Sequence, residues 1–284
     1  ANFNPSLIVI LDQAETPLYE IELEMRDKYP HIAFKFVLGD VSNHHRMESL
    51  FQTYNFSMVY HAAAYKHVPL VEENPHEAIF VNILGSKIVA KLSSKYKVNR
   101  FVMVSTDKAV NPTNVMGASK RAAELFVQSL QNVEGNVTKF ITTRFGNVLG
   151  SNGSVIPHFK KQIEAGGPVT ITHPEIVRYF MTIPEACELV LQAGTMGEGG
   201  EIFVFDMGEP VKILDLAKRM IKLSGFEPNI DIKIIYTGLR PGEKLYEELL
   251  SDDTKTLPTH NDKIMISKDP STGFEEIETL TRQI

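Results

Sequence analysis

The sequence predicts an α/β protein built on a doubly wound, mainly parallel sheet. Short apolar, β-branched runs alternate with longer stretches of helical periodicity along most of the chain, the pattern of successive βαβ units. The 284 residues, 43% hydrophobic and 23% charged, suffice to bury a large core without staples. In chain order the strands are Leu7 to Leu11, Ala33 to Leu38, Met58 to His61, Phe101 to Ser105, Phe140 to Arg144 and Ile202 to Phe205. Thr16-Pro17 reads as the N-cap and first turn of a helix running to about Tyr29, because a hydroxyl can accept from the open N–H groups and proline needs none. Pro75 opens a helix continuing towards Tyr96, and Pro184 does the same for Ile183 to Ala193. Arg121 to Gln131 carries apolar residues at Ala122, Leu125, Phe126 and Leu130, one helical stripe. Near Asn147 the alternation gives way to the Gly- and Ser-rich run Gly150-Ser151-Asn152-Gly153-Ser154. A soft boundary there divides residues 1–146 from a smaller lobe, 147–250, with some segments returning to the sheet; the tail, 251–284, is polar and weakly patterned, so it wraps the surface or frays.

Composition narrows the partners. Lys plus Arg number 29 against 35 Asp plus Glu, a formal charge of −6, and no basic block exists to bind nucleic acid or anionic lipid through bulk charge. Phosphates would have to be gripped by a few placed groups. The one cysteine, Cys187, permits no intrachain disulfide and suits a reducing compartment, and no apolar run of 18 or more residues could span a bilayer. The nine histidines show no metal-ligand spacing, so no metal site is expected.

The densest chemistry follows the fourth strand. Ser105-Thr106-Asp107-Lys108 places a hydroxyl and two opposite charges at the carboxyl end of a strand, where open α/β sheets bind ligands; a charged turn would read the same way. Eight residues on, Met116-Gly117-Ala118-Ser119-Lys120 leads into the helix, and positions 116 and 120 share one helix face. For Lys120 the alternative is a solvated helix lysine.

Ser105-Thr106-Asp107-Lys108-Ala109-Val110-Asn111-Pro112 followed by Gly117-Ala118-Ser119-Lys120 resembles the extended short-chain dehydrogenases/reductases that act on nucleotide sugars. With His61-Ala62-Ala63-Ala64-Tyr65-Lys66-His67-Val68-Pro69, Arg144-Phe145-Gly146-Asn147-Val148-Leu149-Gly150-Ser151 and Arg240-Pro241-Gly242-Glu243-Lys244, the chain is similar, from about Leu7 to Leu250, to the polysaccharide-biosynthesis family of UDP-N-acetylglucosamine 4,6-dehydratases. The resemblance implies a Rossmann-like fold with a smaller C-terminal substrate-binding lobe, bound NAD, a UDP-sugar substrate, a role in capsule, O-antigen or glycan synthesis, and a homo-oligomer. Pro75 to Tyr96 and Arg121 to Gln131 are the candidate interfaces.

Two features depart from the superfamily pattern. Where it carries the Tyr of a Tyr-x-x-x-Lys pair, whose lysine lowers the tyrosine pKa, this chain has Met116. A thioether moves no proton, so the site is either inactive or passes the O4 proton elsewhere; methionine here resembles the membrane-associated branch of the dehydratases. Thr106 as a relay and Asp107 are the candidates, with Tyr65 as a substitute. The second departure is that no Gly-rich phosphate-binding turn precedes Leu7 to Leu11. In the family order that missing first strand is central. The resemblance implies that it, its loop and most of a first helix lie upstream of Ala1, with Ala1-Asn2-Phe3 as that helix's tail. It also implies membrane helices further upstream and a catalytic part at the inner face of the cell membrane, in the cytoplasm. The 284 residues alone would then bind cofactor poorly and not turn over.

Asp12 follows the strand Ile8 to Leu11, where a carboxylate accepts ribose hydroxyls and repels a 2′-phosphate, which favours NAD over NADP; a turn aspartate is the alternative. The resemblance implies an adenine contact at Asp40-Val41, a close cofactor approach at Ala62, Ala63 and Ala64, and a bracing role for Asn82. Arg178 and Arg240 could each grip a diphosphate bidentately, with Asn147 beside them; surface salt bridges are the alternative. Glu243 is placed for a uridine ribose hydroxyl, and Lys66 and His67 on a loop facing the sugar. The implied roles are Lys108 as base at C5, Asp107 as acid to the departing C6 hydroxyl, Thr106 near O4, and Lys120 on the nicotinamide ribose. A 4-epimerase and a non-catalytic UDP-sugar-binding module are the rivals.

Overall fold

A computed structural model of the chain describes residues 5–247, 256–270 and 272–282. The expected helix tail at Ala1 to Phe3 lies outside the described residues. All six expected strands form, within one residue at each end: β1 (Ile8–Asp12), β2 (Phe34–Leu38), β3 (Met58–His61), β4 (Arg100–Thr106), β5 (Lys139–Phe145) and Ile202–Phe205. They do not make one sheet. β3, β4, β5 and Ile202–Phe205 run parallel, and Ile264–Ser267 and Thr256–Pro258 extend them antiparallel. β1 and β2 pair in parallel as a separate two-stranded sheet. Among the described residues no strand joins the two.

Alternation along β4 and β5 builds a layer on each face of the larger sheet. Phe101, Met103 and Phe140 turn towards the helices α2 (His44–Thr53), α5 (Ser86–Lys95) and α6 (Val115–Ser129), where Leu50, Leu92, Phe126 and Val127 complete one core. Val102 and Ile141 turn the other way, against Leu189 and Ala193 of helix Ile183–Met196 and against Phe203 and Phe205. Burial on both faces explains why these strands read as continuous apolar runs rather than alternating ones. A third cluster, with Phe159, Ile163, Val169, Ile171, Ile213, Ile221 and Ile232, gathers the elements after Asn147.

Four local expectations need correction. The helix α1 (Glu15–Lys28) starts at Glu15, not at a Thr16 cap: Asp12 Oδ1 accepts the Ala14 N–H at 2.8 Å and turns the chain two residues earlier. The helix expected from Pro75 to Tyr96 contains a π-helical stretch, Ile79–Gly85, between α4 (Pro75–Ala78) and α5. The helix expected from Arg121 begins at Val115, because Asn114 Oδ1 accepts the Gly117 N–H at 2.7 Å and Glu72 Oε1 accepts the Val115 N–H at 2.6 Å, capping its N-terminus. In the tail, Thr256–Pro258 and Ile264–Ser267 join the sheet, and helix Phe274–Arg282 docks on α5 and α6, burying Ile277 and bringing Phe274 to Phe126. That helix covers part of the face expected to serve as an oligomer interface: Lys87 Nζ donates to Thr281 Oγ1 at 2.7 Å and Lys91 pairs with Glu278 at 2.9 Å.

Candidate active site

The carboxyl end of β4 turns directly into a single 3-10 turn, Asp107–Ala109, so its side chains stand above the sheet edge. Asp107 is buried, and its Oδ1 accepts from Thr106 Oγ1 at 2.8 Å and from Lys108 Nζ at 3.0 Å. Its Oδ2 is buried with no partner, and a Cβ at Gly146 would lie 3.1 Å from it, so the motif glycine keeps that oxygen's surroundings open. Lys108 also pairs with Glu247 at 3.2 Å. Burial works against the charge on Lys108 and Arg178 repels it, yet Asp107 and Glu247 outweigh both and hold its pKa above the ordinary lysine value. Desolvation and a neighbouring cation, the two routes to a lysine base, are both present here and both overcome.

Lys120 and Met116 sit on the inner face of α6, as their spacing requires, and both are buried. Lys120 Nζ donates to the Val104 carbonyl at 2.8 Å; burial lowers its pKa to about 8, against the pull of Glu124. Met116 packs with Val71 and Ala78 in a small apolar cluster. The helix passes close to the turn Asp107–Ala109: a Cβ on Gly117 would stand 2.2 Å from the Lys108 carbonyl oxygen, and only glycine permits that approach.

Asn82, buried at the centre of the π-helical stretch, accepts the Tyr65 N–H at 2.8 Å, donates to the Tyr65 carbonyl at 3.1 Å and donates to Ser119 Oγ at 2.9 Å. It ties the loop Ala62 to Tyr65 to α6, and the extra residue of the π turn aims it there. Ser86 Oγ donates to the Asn82 carbonyl at 2.6 Å, so the 2.8 Å contact with His61 is a donation from His61 Nε2–H. Burial, then the charge of Lys120, depresses the His61 pKa to about 3. Since an unfolded histidine titrates near 6.5, stability is held above that pH and falls as pH drops towards 3. The loss reaches about 2 kcal/mol by pH 5. Urea titrations at pH 7.5 and pH 5 should show that increment in the native sequence and not in His61→Gln; equal losses in both would refute it.

The remaining predicted positions are each held by contacts of their own. Asp12 ends β1 with one oxygen in the turn to Ala14, Asp40 Oδ1 accepts from the Ser42 N–H and Oγ at 2.8 Å, and Val41 packs against Gly85. Lys66 Nζ reaches the Asn152 carbonyl at 2.8 Å and the His67 ring lies over Gly153, so the loop carrying Lys66 and His67 meets the Gly-Ser loop. Asn147 Nδ2 donates to the Tyr179 carbonyl at 3.2 Å. Arg178 is bound to its neighbours, with Glu243 and Glu247 each at 3.4 Å. Glu243 Oε2 accepts the Arg240 N–H at 3.1 Å, and Asn114 Nδ2 donates to the Gly242 carbonyl at 3.0 Å, docking this loop on the start of α6.

Glu247 is the site residue that sequence reasoning missed. The available signal was its place four residues after Glu243, although nothing in the spacing names its cationic partners. Also missed was the cluster behind α6 in which Arg144, 1% exposed, makes a bidentate pair with Glu124 at 2.6 and 2.9 Å and reaches Asp269 at 2.7 Å.

A doubly wound sheet with a Ser-Thr-Asp-Lys turn at the end of β4 and a buried lysine on the next helix defines a chain of the extended short-chain dehydrogenase/reductase class. Within that class it belongs to the family described as polysaccharide biosynthesis protein, whose sequence profile matches residues 1–269. It is 58% identical over 252 residues to the capsular polysaccharide biosynthesis protein CapD of Staphylococcus aureus, covering 88% of this chain and 42% of that protein. It is 36% identical over 258 residues to a UDP-N-acetylglucosamine 4,6-dehydratase (inverting) of Campylobacter jejuni, covering 90% of this chain and 73% of the other. Among solved structures, Pen from Bacillus thuringiensis superposes with a TM-score of 0.83 at 32% identity, covering 99% of this chain and 90% of that one. The chain spans about two fifths of the length of the first curated relatives it matches. Among the described residues no helix is long and apolar enough to cross a membrane.

Proposed function

We propose that the chain is the catalytic part of an NAD-dependent 4,6-dehydratase that converts UDP-N-acetylglucosamine to a UDP-4-keto-6-deoxy sugar for surface polysaccharide or glycan synthesis at the cytoplasmic face of the membrane. In this reading residues 1–146 carry the cofactor, residues 147–250 mainly the sugar nucleotide, and the protein works as a homo-oligomer. The observation that carries it is the Asp107–Lys108 ion pair at the end of β4, its carboxylate buried and its lysine 20% exposed, with one carboxylate oxygen committed and the other, Oδ2, without a partner. A dehydration needs an acid and a base side by side at neighbouring carbons, which hydride transfer alone does not.

The residues present fit two ends of NAD. Lys120, buried and held by the Val104 carbonyl, suits the nicotinamide ribose; Asp12, Asp40, Val41 and the small residues Ala62, Ala63 and Ala64 suit the adenosine half, while no Gly-rich turn for the pyrophosphate is among the described residues. When bound there, NAD would supply the hydride acceptor for C4 and the hydride donor for C6. Thr106, whose hydroxyl donates to Asp107 Oδ1, can relay the O4 proton to that carboxylate in place of the tyrosine that Met116 replaces. The Asp107 carboxyl then gives this proton to the departing C6 hydroxyl, which leaves as water. Lys108, as the neutral amine, takes the C5 proton and returns it to C5 once hydride has reached C6. Arg178 and Arg240 hold the diphosphate, Glu243 and Asn147 the nucleotide side, and Lys66 and His67 the sugar.

The test is product mass. Incubation of the full-length protein with UDP-N-acetylglucosamine and NAD is expected to give a product lighter by one water. An unchanged mass with an altered C4 configuration means epimerisation instead, and binding without any product means a non-catalytic module.

A further inference from the structure

We infer that Glu247 is a positioning residue that sets the working pH of the Asp107–Lys108 pair, and that Arg178 opposes it through the same oxygen. The inference rests on the reading of Lys108 as base and Arg178 as phosphate ligand. Glu247 Oε1 lies 3.2 Å from Lys108 Nζ and 3.4 Å from Arg178 Nε, and its side chain is 3% exposed. Solvent screens little at such a depth, so the split of this one carboxylate between two cations is felt at both. The charged groups facing Lys108 come from three elements: Asp107 on its own turn, Arg178 on the strand Val177–Arg178, and Glu247 on the segment after the Arg-Pro-Gly-Glu-Lys motif. Glu243 reaches the cluster only through Arg178, at 3.4 Å.

The sharing has a functional consequence. Lys108 must lose its proton to act at C5, and Glu247 holds that proton on. Each increment of attraction from Glu247 raises the pH at which the neutral amine becomes abundant; Arg178 lowers it, both by its own charge and by drawing Oε1 away. A phosphate that engages Arg178 therefore acts on Lys108 through Glu247, which links nucleotide binding to proton chemistry at the sugar. Glu247 touches neither reacting carbon in this scheme, and its effect runs through Lys108.

The experiment titrates Lys108 directly, with no need for turnover, by NMR of the 284-residue chain carrying 13C at lysine Cε. The resonance is assigned by its loss in Lys108→Arg. Glu247→Gln, which keeps shape and removes charge, is expected to lower the Lys108 midpoint by at least one pH unit, and Glu247→Asp to return it towards the native value. Arg178→Gln is expected to raise it. Opposite shifts are something a purely structural role cannot produce. Midpoints unmoved by both substitutions, or moved in the same direction, would overturn the inference. If Glu247→Gln does not fold, by far-ultraviolet circular dichroism, the Glu247→Asp and Arg178→Gln pair decides on the same criterion. UDP affinity by calorimetry keeps the underlying reading separate. A tenfold or greater loss in Arg178→Gln supports the phosphate role and unchanged affinity sinks that role, while the Lys108 midpoints decide the part played by Glu247.

Discussion

Lys108→Ala is expected to lower kcat of the full-length protein by a factor of about 10²–10⁴, the range for removing a general acid–base group. The lysine is the one group that, in the proposed scheme, can take the C5 proton while sharing a hydrogen with the acid. Its loss also strips Asp107 of its cation and leaves Glu247 to Arg178 alone, so part of the effect of alanine comes from lost charge pairing. Lys108→Met, which restores the stem without the charge, controls for lost packing. The specific signature is isotopic: in deuterium oxide the native protein should incorporate solvent deuterium at C5 of the product, and neither variant should exchange it. Near-normal turnover in Lys108→Ala, or C5 exchange that persists without the amine, would remove Lys108 from the base role and pass it to another group at the end of β4.

Much of this architecture was legible because its signals are local. Strands buried on both faces announce themselves as apolar runs, and the prolines at 75 and 184 opened helices where expected. The Asp107–Lys108 and Met116–Lys120 spacings placed four side chains correctly, since a strand end and a helix face are fixed by short-range geometry. Pairings over long sequence separations were not legible. Nothing near Val115 in the sequence says that its N–H meets Glu72, and nothing near Lys108 points to Glu247. The π turn at Asn82 was hidden for a related reason: helical periodicity survives one extra residue, while the cause of the insertion is a set of hydrogen bonds to Tyr65 and Ser119. The tail misled because its polar composition matches that of a surface strap, yet Ile264, Ile277 and Phe274 are spaced to add a strand and dock a helix.

Arg144→Leu is expected to cost about 3–5 kcal/mol of stability, the penalty for breaking a buried ion pair by removing one partner. Arg144 is 1% exposed and Glu124 is 0% exposed, and the two form both bonds of a guanidinium–carboxylate fork. Without the guanidinium, the ion pair left to buried Glu124 among the described residues is Arg121, at 3.1 Å and on one oxygen. Asp269 loses one of its two arginines as well, which loosens the segment that carries the C-terminal helix onto α5 and α6. For a chain of this size the loss corresponds to a fall in Tm of about 10 °C. The stronger test is the pair. If the penalty is that of an orphaned charge, Arg144→Met with Glu124→Met should recover most of the loss, since two apolar side chains of similar length leave nothing buried and unpaired. The double variant carries a functional readout too. Glu124 lies one helical turn beyond Lys120 and raises its pKa against the pull of burial, so without that carboxylate the buried Lys120 should sit below about 8 and be more often neutral near pH 7. A neutral lysine holds a cofactor ribose and its phosphate less well. The double variant should therefore regain Tm yet need more NAD for half-saturation, whereas recovery of both, or of neither, would mean that the cluster does not connect the fold to the cofactor site in this way.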